Sequence, residues 1–403
     1  MSNERKFGRL PFVFSLAERE RRYAEVREMM IKRGFDALIV PCNTGHNEAF
    51  QADVRYLSQI GGFANEAALF FPARGEPTCW VRADSQPAEW WQEMQDWVSD
   101  VRGSNCAWSE NFAASIRERG LEKASIGVVG IGGTPRAPDG LMLYGTLSRL
   151  QQWFPQALFA DATEAMVEVR QNKSEEEITA LERATEIAEK SVLAAAAAAK
   201  PGVSEHEVYA EIVGCMVRNG AELPTLVLWG AGASPSCMSR VPPVRPLEVG
   251  DVIISEIEAK CAGYIAQVRR PIFVGKPSQE YAQLHDVAVE SFRLVLDRIR
   301  PGATYEHVIR GYIDLVEARG YKALAVPLHG RGLGEDYPVI RLNAESSGSL
   351  QREIEPGQVF IVGPRIGTRD KSKILSWGDT VAVNQSGVRR LGKLNDQPII
   401  IPV

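Results

Sequence analysis

The most constraining feature of this sequence is an internal repeat. Residues 200–221, KPGVSEHEVYAEIVGCMVRNGA, match residues 300–321, RPGATYEHVIRGYIDLVEARGY, at a constant offset that aligns Pro201 with Pro301, Gly202 with Gly302, Val208 with Val308 and Gly220 with Gly320. A period that occurs only twice cannot stack into a solenoid, which needs about three units to bury a continuous core. It specifies one pseudo-symmetric domain instead. Each copy reads as a Pro-Gly turn and an amphipathic helix followed by strands. The expected product is a curved sheet backed by paired helices, with a cavity along the pseudo-twofold axis.

The chain ahead of the repeat has a different pattern. Ser15 and Glu18 are spaced as a capping box, and the helix behind them aligns Tyr23, Val26 and Met30 on one face until Gly34 stops it. The apolar runs FDALIVP, AALFFP, SIGVVG and ALFA then read as strands separated by helices, an α/β domain over residues 1–165. Near VRQNKSEEE the composition shifts. Ser174 and Glu177 open a long helix carrying Ile178, Leu181, Ala184 and Ala188 toward Pro201, so a second domain is expected over residues 166–403. The alanine run within this helix reads as a close-packed face.

Bulk properties exclude several functions. A formal net charge of -5 offers no field for gathering phosphates, and no Lys/Arg-rich run is present, so nucleic acid is not an expected partner. No segment approaches the length of a membrane span, and the N-terminus lacks the apolar stretch of a secretory signal. The six cysteines stand without CxxC or CxxH spacing, which argues against a structural zinc site and points to reduced thiols in a cytoplasm.

Four further stretches carry a family resemblance: residues 245–275 (RPLEVGDVIISEIEAKCAGYIAQVRRPIFVG), 328–338 (LHGRGLGEDYP), 355–367 (EPGQVFIVGPRIG) and 377–391 (WGDTVAVNQSGVRRL). Together with the opening helix and strand and the helix capped by Ser174, they cover almost the whole chain. On them the chain resembles the creatinase, prolidase and aminopeptidase P superfamily. The resemblance implies a creatinase-type α/β N-terminal domain and an α+β pita-bread C-terminal domain with an internal pseudo-twofold repeat.

The family's peptidases hold two divalent metals with two aspartates, a histidine and two glutamates. Those positions fall here on Glu256, Gln267, His329, Gly363 and Gly378. Hard cations need several oxygen ligands or a carboxylate and imidazole set, so the resemblance implies no metal and no cofactor for this chain. Creatinase works without metal, yet its catalytic histidine falls on Ser239 and its site glutamates on Arg269 and Gly363. An arginine supplied across its dimer falls on Asn65, beside a retained Phe63. What carries over is a plan: a metal-free pocket for a small polar molecule, completed by the N-terminal domain of a second subunit in a homodimer.

Alternation along strands puts Glu256 and Glu258 on one face, Gln267 and Arg269 on the matching face of the hairpin partner, and Arg365 on the side of Gly363. Buried together, these charges must pair. They can form a structural network of Glu256 and Glu258 with Arg269 and Arg365, or an arginine can take over the cations' role and fix a substrate carboxylate or oxyanion. His329 is the expected general acid/base, with Glu256 or Glu258 activating water. Asp336 could orient His329 or meet a substrate cation, Asp379 could serve the pocket or a turn, and Arg341 lies near a position that binds the substrate carboxylate in creatinase. Phe63, Gln267, Arg269 and Arg365 complete the expected substrate contacts. Cys237 or Ser239 as a nucleophile is a further option.

The function expected is a metal-independent, creatinase-like hydrolase acting on a carbon–nitrogen bond of a small carboxylate-bearing or zwitterionic compound. A lyase and a non-catalytic binding protein are the alternatives.

Overall fold

The computed structural model describes residues 10–42, 51–62, 66–84, 87–134, 137–324, 327–340, 342 and 348–403. The chain forms two compact units, Met1–Arg170 with Leu333–Glu335, and Gln171–Gly332 with Asp336–Val403.

The first unit is built on a six-stranded mixed sheet. Its order is Asp100–Ser104, Thr78–Arg82, Ala67–Pro72, Ala37–Val40, Ser125–Val128 and Leu158–Asp161. The four apolar runs read from the sequence supply four of these strands. Ala37, Ile39, Phe70, Ile126 and Val128 pack against Phe112, Ile116 and Leu150 of the covering helices. The opening helix Leu16–Arg33 starts where Ser15 accepts from the Glu18 amide and ends at Gly34, whose φ of 71° is a left-handed stop that glycine adopts without strain. Among the described residues no helix is long and apolar enough to cross a membrane.

In the second unit the repeat becomes two helix pairs: Glu175–Ala198 with Glu205–Arg218, and Gln279–Arg298 with Tyr305–Ala318. The two Pro-Gly turns are built alike. The Gly202 amide donates to the Leu247 carbonyl at 2.8 Å and the Gly302 amide to the Ile354 carbonyl at 2.9 Å. Ser204 bridges Pro246 just as Thr304 bridges Glu353. The sequence offset is therefore a structural equivalence. Ala195 and Ala199 of the alanine run are buried against Val192, Val208 and Ile212, as close helix packing requires.

These helices back three sheets. The first has the order Ile399–Ile401, Ile272–Val274, Val252–Cys261, Val227–Gly232, with Tyr264–Val268 paired to Val252–Cys261 as a hairpin. The second runs Glu335–Val339, Leu328–Arg331, Val359–Val362, Asp379–Asn384, Gly387–Arg390. A short third sheet joins Lys322–Leu324, Arg365–Gly367 and Ile374–Ser376. The hairpin meets the second sheet at one bridge, where the Arg269 amide donates to the Gly378 carbonyl at 2.9 Å and the Gly378 amide returns the bond at 3.1 Å. Thr380 Oγ1 reinforces this seam by bonding both the amide and the carbonyl of Gln267.

Candidate functional site

The seam between the two halves gathers the charged residues. In the hairpin register Glu258 lies opposite Gln267 and Ile257 opposite Val268, and alternation by two along each chain puts Glu256 and Arg269 on the same face as Glu258 and Gln267. From the second sheet, His329 lies across from Ile361, and Ile361 from Thr380. His329 and Arg331 stand two apart on one strand and so face the same way. That face is the charged one, because the Arg331 guanidinium reaches Glu258.

Gln267 is the hub. Its Oε1 accepts from Arg269 Nε at 2.8 Å, while its Nε2 donates to Glu258 at 2.9 Å and lies 3.5 Å from Glu256. Arg269 also donates through Nη1 to the Gly363 carbonyl at 3.0 Å and Ser376 Oγ at 3.3 Å, and its Nη2 lies 3.3 Å from Glu256. Arg365 bonds the same Glu256 carboxylate. The pairing therefore differs from the simple expectation. Glu256 takes both Arg269 and Arg365, and Glu258 turns to Arg331, which the expected set did not include.

The two glycines explain how this cluster fits. A Cβ at Gly363 would lie 2.5 Å from Arg269 Nη1 and 2.6 Å from its Cζ, so the guanidinium fills the volume where a side chain at 363 would begin. A Cβ at Gly378 would lie 2.3 Å from the Val362 carbonyl oxygen and 2.7 Å from Gly363 Cα. Glycine lets these backbones approach and leaves room for the arginine.

Glu256, Glu258, Arg269 and Arg331 are all buried. Burial pushes the Arg269 guanidinium below its ordinary value; Glu256 and Glu258 oppose this, and Arg365 and Arg331 add to it. Among the described contacts, three guanidiniums bear on these two carboxylates. Arg365 is the most open of the three, with 22% of its side chain exposed. Its Nε is buried with no hydrogen-bond partner among the described residues.

His329 is buried, with Nδ1 3.3 Å from the Gly330 carbonyl. A carbonyl only accepts, so this contact favours the tautomer with hydrogen on Nδ1 and the lone pair on Nε2. Asp336 meets Lys173 in a fully buried pair, so the cation beside it comes from the chain itself. Asp379 accepts from Nη2 of Arg270 at both its oxygens, at 2.9 and 2.8 Å, and from Arg390. It is a strut of the seam: Arg270 also donates to the carbonyls of Arg269 and Gly378, and lies 3.9 Å over the Trp377 ring. Phe63 and Arg341 lie outside the described residues. Cys237 is exposed, and Ser239 donates to the Val241 carbonyl.

Three residues escaped the sequence reading: Arg331, Arg270 and Lys173. Alternation from His329 would have found Arg331. Nothing local signals the partners of Arg270 and Lys173, which lie more than a hundred residues away. Among the described residues, no three His, Cys, Asp or Glu side chains converge as a metal ion would need.

The profile of metallopeptidase family M24 matches residues 179–385, just over half of the chain. The chain belongs to this family. The M24 match spans both copies of the repeat and the cluster of Glu256, Glu258, Gln267, Arg269, His329, Arg331 and Arg365. The Xaa-Pro dipeptidase of Pyrococcus furiosus is 25% identical over 261 residues, 63% of this chain and 72% of that protein. The creatinase of a Bacillus species is 24% identical over 373 residues, 88% of this chain and 84% of that protein. Among solved structures, the X-Pro aminopeptidase of Thermotoga maritima superposes with a TM-score of 0.78 at 19% identity, covering 94% of this chain and 99% of that one. The prolidase of Pyrococcus horikoshii gives 0.76 at 22% identity, covering 94% and 100%. These likenesses establish the expected fold for this M24 chain, an α/β domain followed by a pita-bread domain.

Proposed function

We propose that this M24 chain is a metal-independent, creatinase-like hydrolase that cleaves a carbon–nitrogen bond in a small carboxylate-bearing or zwitterionic compound. The observation that carries the reading is the position of Arg269, whose guanidinium occupies the volume of a side chain at residue 363. A fixed cation of the protein stands where the family resemblance expects a metal ligand. The donors present do not fit a pair of divalent cations. Gly363 and Gly378 offer no side chain, Gln267 offers a neutral amide, and Glu256 and Glu258 are engaged by arginines that repel a metal ion.

In this reading His329 takes a proton from water through Nε2 and returns it to the departing nitrogen, so the proton count closes over one cycle. Arg269, Arg331 and Arg365 oppose the negative charge that builds on the attacked group. Glu256 and Glu258 serve as the counter-charges that hold the arginines, in place of the water-activating role expected of them. A homodimer, with the neighbouring N-terminal domain completing the site, is part of the proposal, and mass photometry tests it. The central test is amine release from small amide and guanidino acids by the purified chain, with and without a chelator. Release that survives chelation supports the reading. Release that is lost on chelation and restored by a divalent metal overturns it.

A further inference from the structure

A groove of about 410 Å³ lies between the helix Glu175–Ala198 and residues 389–393 of the second unit, a size within the range of small-molecule sites. It opens on the back of the second sheet. His329, Ile361 and Thr380 stand side by side across that sheet and share a face, so Asp379, next to Thr380, points to the other. Arg390 bonds Asp379 there and lines the groove. The groove is therefore separate from the face that carries His329.

The helix wall presents Glu182, Glu186 and Glu189, spaced four and three apart and so on one side of the helix, and the other wall presents Arg389, Arg390 and Lys393. Most of these charges are committed. Glu182 meets Arg389, Glu186 meets Arg183 and Lys190, and Arg390 meets Asp379 and Asp396. Glu189 is different. It is 8% exposed, and its Oε1 accepts the amides of Lys393 and Leu394, both at 2.6 Å. A Cβ at Gly392 would lie 2.7 Å from that oxygen, so glycine lets the chain wrap the carboxylate. Its Oε2 has no partner among the described residues, and the side chain lines the groove. A buried carboxylate without a cationic partner is costly, and none of the described cations pairs with Glu189. Lys393 is exposed on the opposite wall, and its ammonium has no ion pair among the described residues.

We propose that this groove is a second ligand site that takes a small zwitterion, with a primary ammonium and a carboxylate, the chemistry shared by free amino acids and short peptides. The ammonium donates to Glu189 Oε2, and the carboxylate meets Lys393. A simple cation would leave Lys393 unanswered, and a simple anion would leave Glu189 so. The orientation of Glu189 is set in advance, because the backbone amides hold its other oxygen. The site stands on the groove alone and does not depend on the hydrolase reading of the seam.

Calorimetric titration of the purified chain at low, fixed ionic strength tests the proposal with four probes: glycine, glycylglycine, methylammonium and acetate. The expected result is that at least one of the two zwitterions binds, about tenfold or more tightly than either singly charged probe, the loss typical of an unmade charged hydrogen bond. Whichever zwitterion binds more tightly measures the separation of the two charges. E189Q keeps a carbonyl oxygen for the two amides but removes the charge, and should weaken the zwitterion by about tenfold or more. K393M should weaken it by a smaller factor, and R365Q, which alters the seam, should leave it unchanged. No binding of either zwitterion, methylammonium or acetate binding as well as they do, or an affinity unchanged in E189Q would each overturn the proposal. So would a loss in R365Q that E189Q does not share, since the ligand would then sit in the seam. Should E189Q fail to fold, K393M on the exposed wall decides, and an unchanged affinity there overturns the site.

Discussion

The two halves of the second unit share their turns and helices but supply opposite things to the seam. The first half brings long polar side chains, Glu256, Glu258, Gln267 and Arg269, from one hairpin. The second half brings absence at two positions, Gly363 and Gly378, together with His329, Arg331 and Arg365. The repeat is kept where it sets backbone geometry, at Gly202 and Gly302, and abandoned where the halves meet. There the arginine of one half fits only because the other half has no side chain in its way. Pseudo-symmetry thus governs the scaffold, while asymmetry governs the chemistry.

The largest effect is expected from removing the one group that gives the second half proton-transfer capacity. His329→Gln keeps a polar, similarly sized side chain on the strand and should lower kcat on any identified substrate by about 100- to 10,000-fold, the usual worth of general acid/base catalysis. The unfolding midpoint should stay close to wild type. A rate within about threefold of wild type would move proton transfer to another residue.

Next comes the strut that ties the halves together. Asp379→Ala leaves Arg270 and Arg390 buried or half-buried beside Trp377 without their shared carboxylate. Breaking a buried ion pair from one side costs about 3–5 kcal/mol. Denaturant unfolding should therefore show a loss of that order. A loss below about 1 kcal/mol would mean that the seam is held mainly by its backbone bridge and Thr380.

The glycines separate the two kinds of absence. At Gly378 an added Cβ meets backbone, the Val362 carbonyl oxygen and Gly363 Cα, which cannot move without shifting a strand. At Gly363 it meets the end of the Arg269 side chain, which can swing aside. Gly378→Ala should destabilise by about 3 kcal/mol and Gly363→Ala by about 1 kcal/mol, on the scale of overpacked cores. Gly363→Ala should weaken anion binding despite its milder effect on stability, because it displaces Arg269. The reverse order of stabilities would show that Arg269 is locked more firmly than the strand backbone.

How much of this was legible in the sequence follows from the range of each interaction. The caps at Ser15 and Ser174, the stop at Gly34 and the four apolar strands are local, decided within a few residues, and the structure carries them all. The shared face of Glu256, Glu258, Gln267 and Arg269 was legible because alternation along a hairpin is also local. Partner choice was not. Glu258 selects Arg331 across 73 residues and Asp379 selects Arg270 across 109, and those meetings depend on how two sheets join. The mutual approach of Gly363 and Gly378 was equally hidden, since a glycine at a ligand position reads only as a loss until the neighbour filling its space is known.

The smallest effect sharpens the comparison at its most symmetric point, the helix start in each copy. In the first copy Ser204 and Glu207 form a complete capping box, with the Ser204 amide donating to Glu207 at 2.9 Å and the Ser204 side chain accepting in return. In the second, Thr304 accepts from the His307 amide at 3.3 Å, and residue 307 is a histidine in place of the glutamate. The equivalent caps therefore differ by one reciprocal bond. Both turns are also fixed by their strand bridges, Ser204 to Pro246 and Thr304 to Glu353, so the helices do not depend on the caps alone. Ser204→Ala should cost about 1 kcal/mol and Thr304→Ala about half as much, within the usual range for N-cap removal. Glu207→Ala should bring the first copy down to the level of the second and make a following Ser204→Ala cheaper than it is in the wild type. Additive losses in that double-mutant cycle would mean that the two bonds of the box act independently, and that the copies differ by less than their geometry implies.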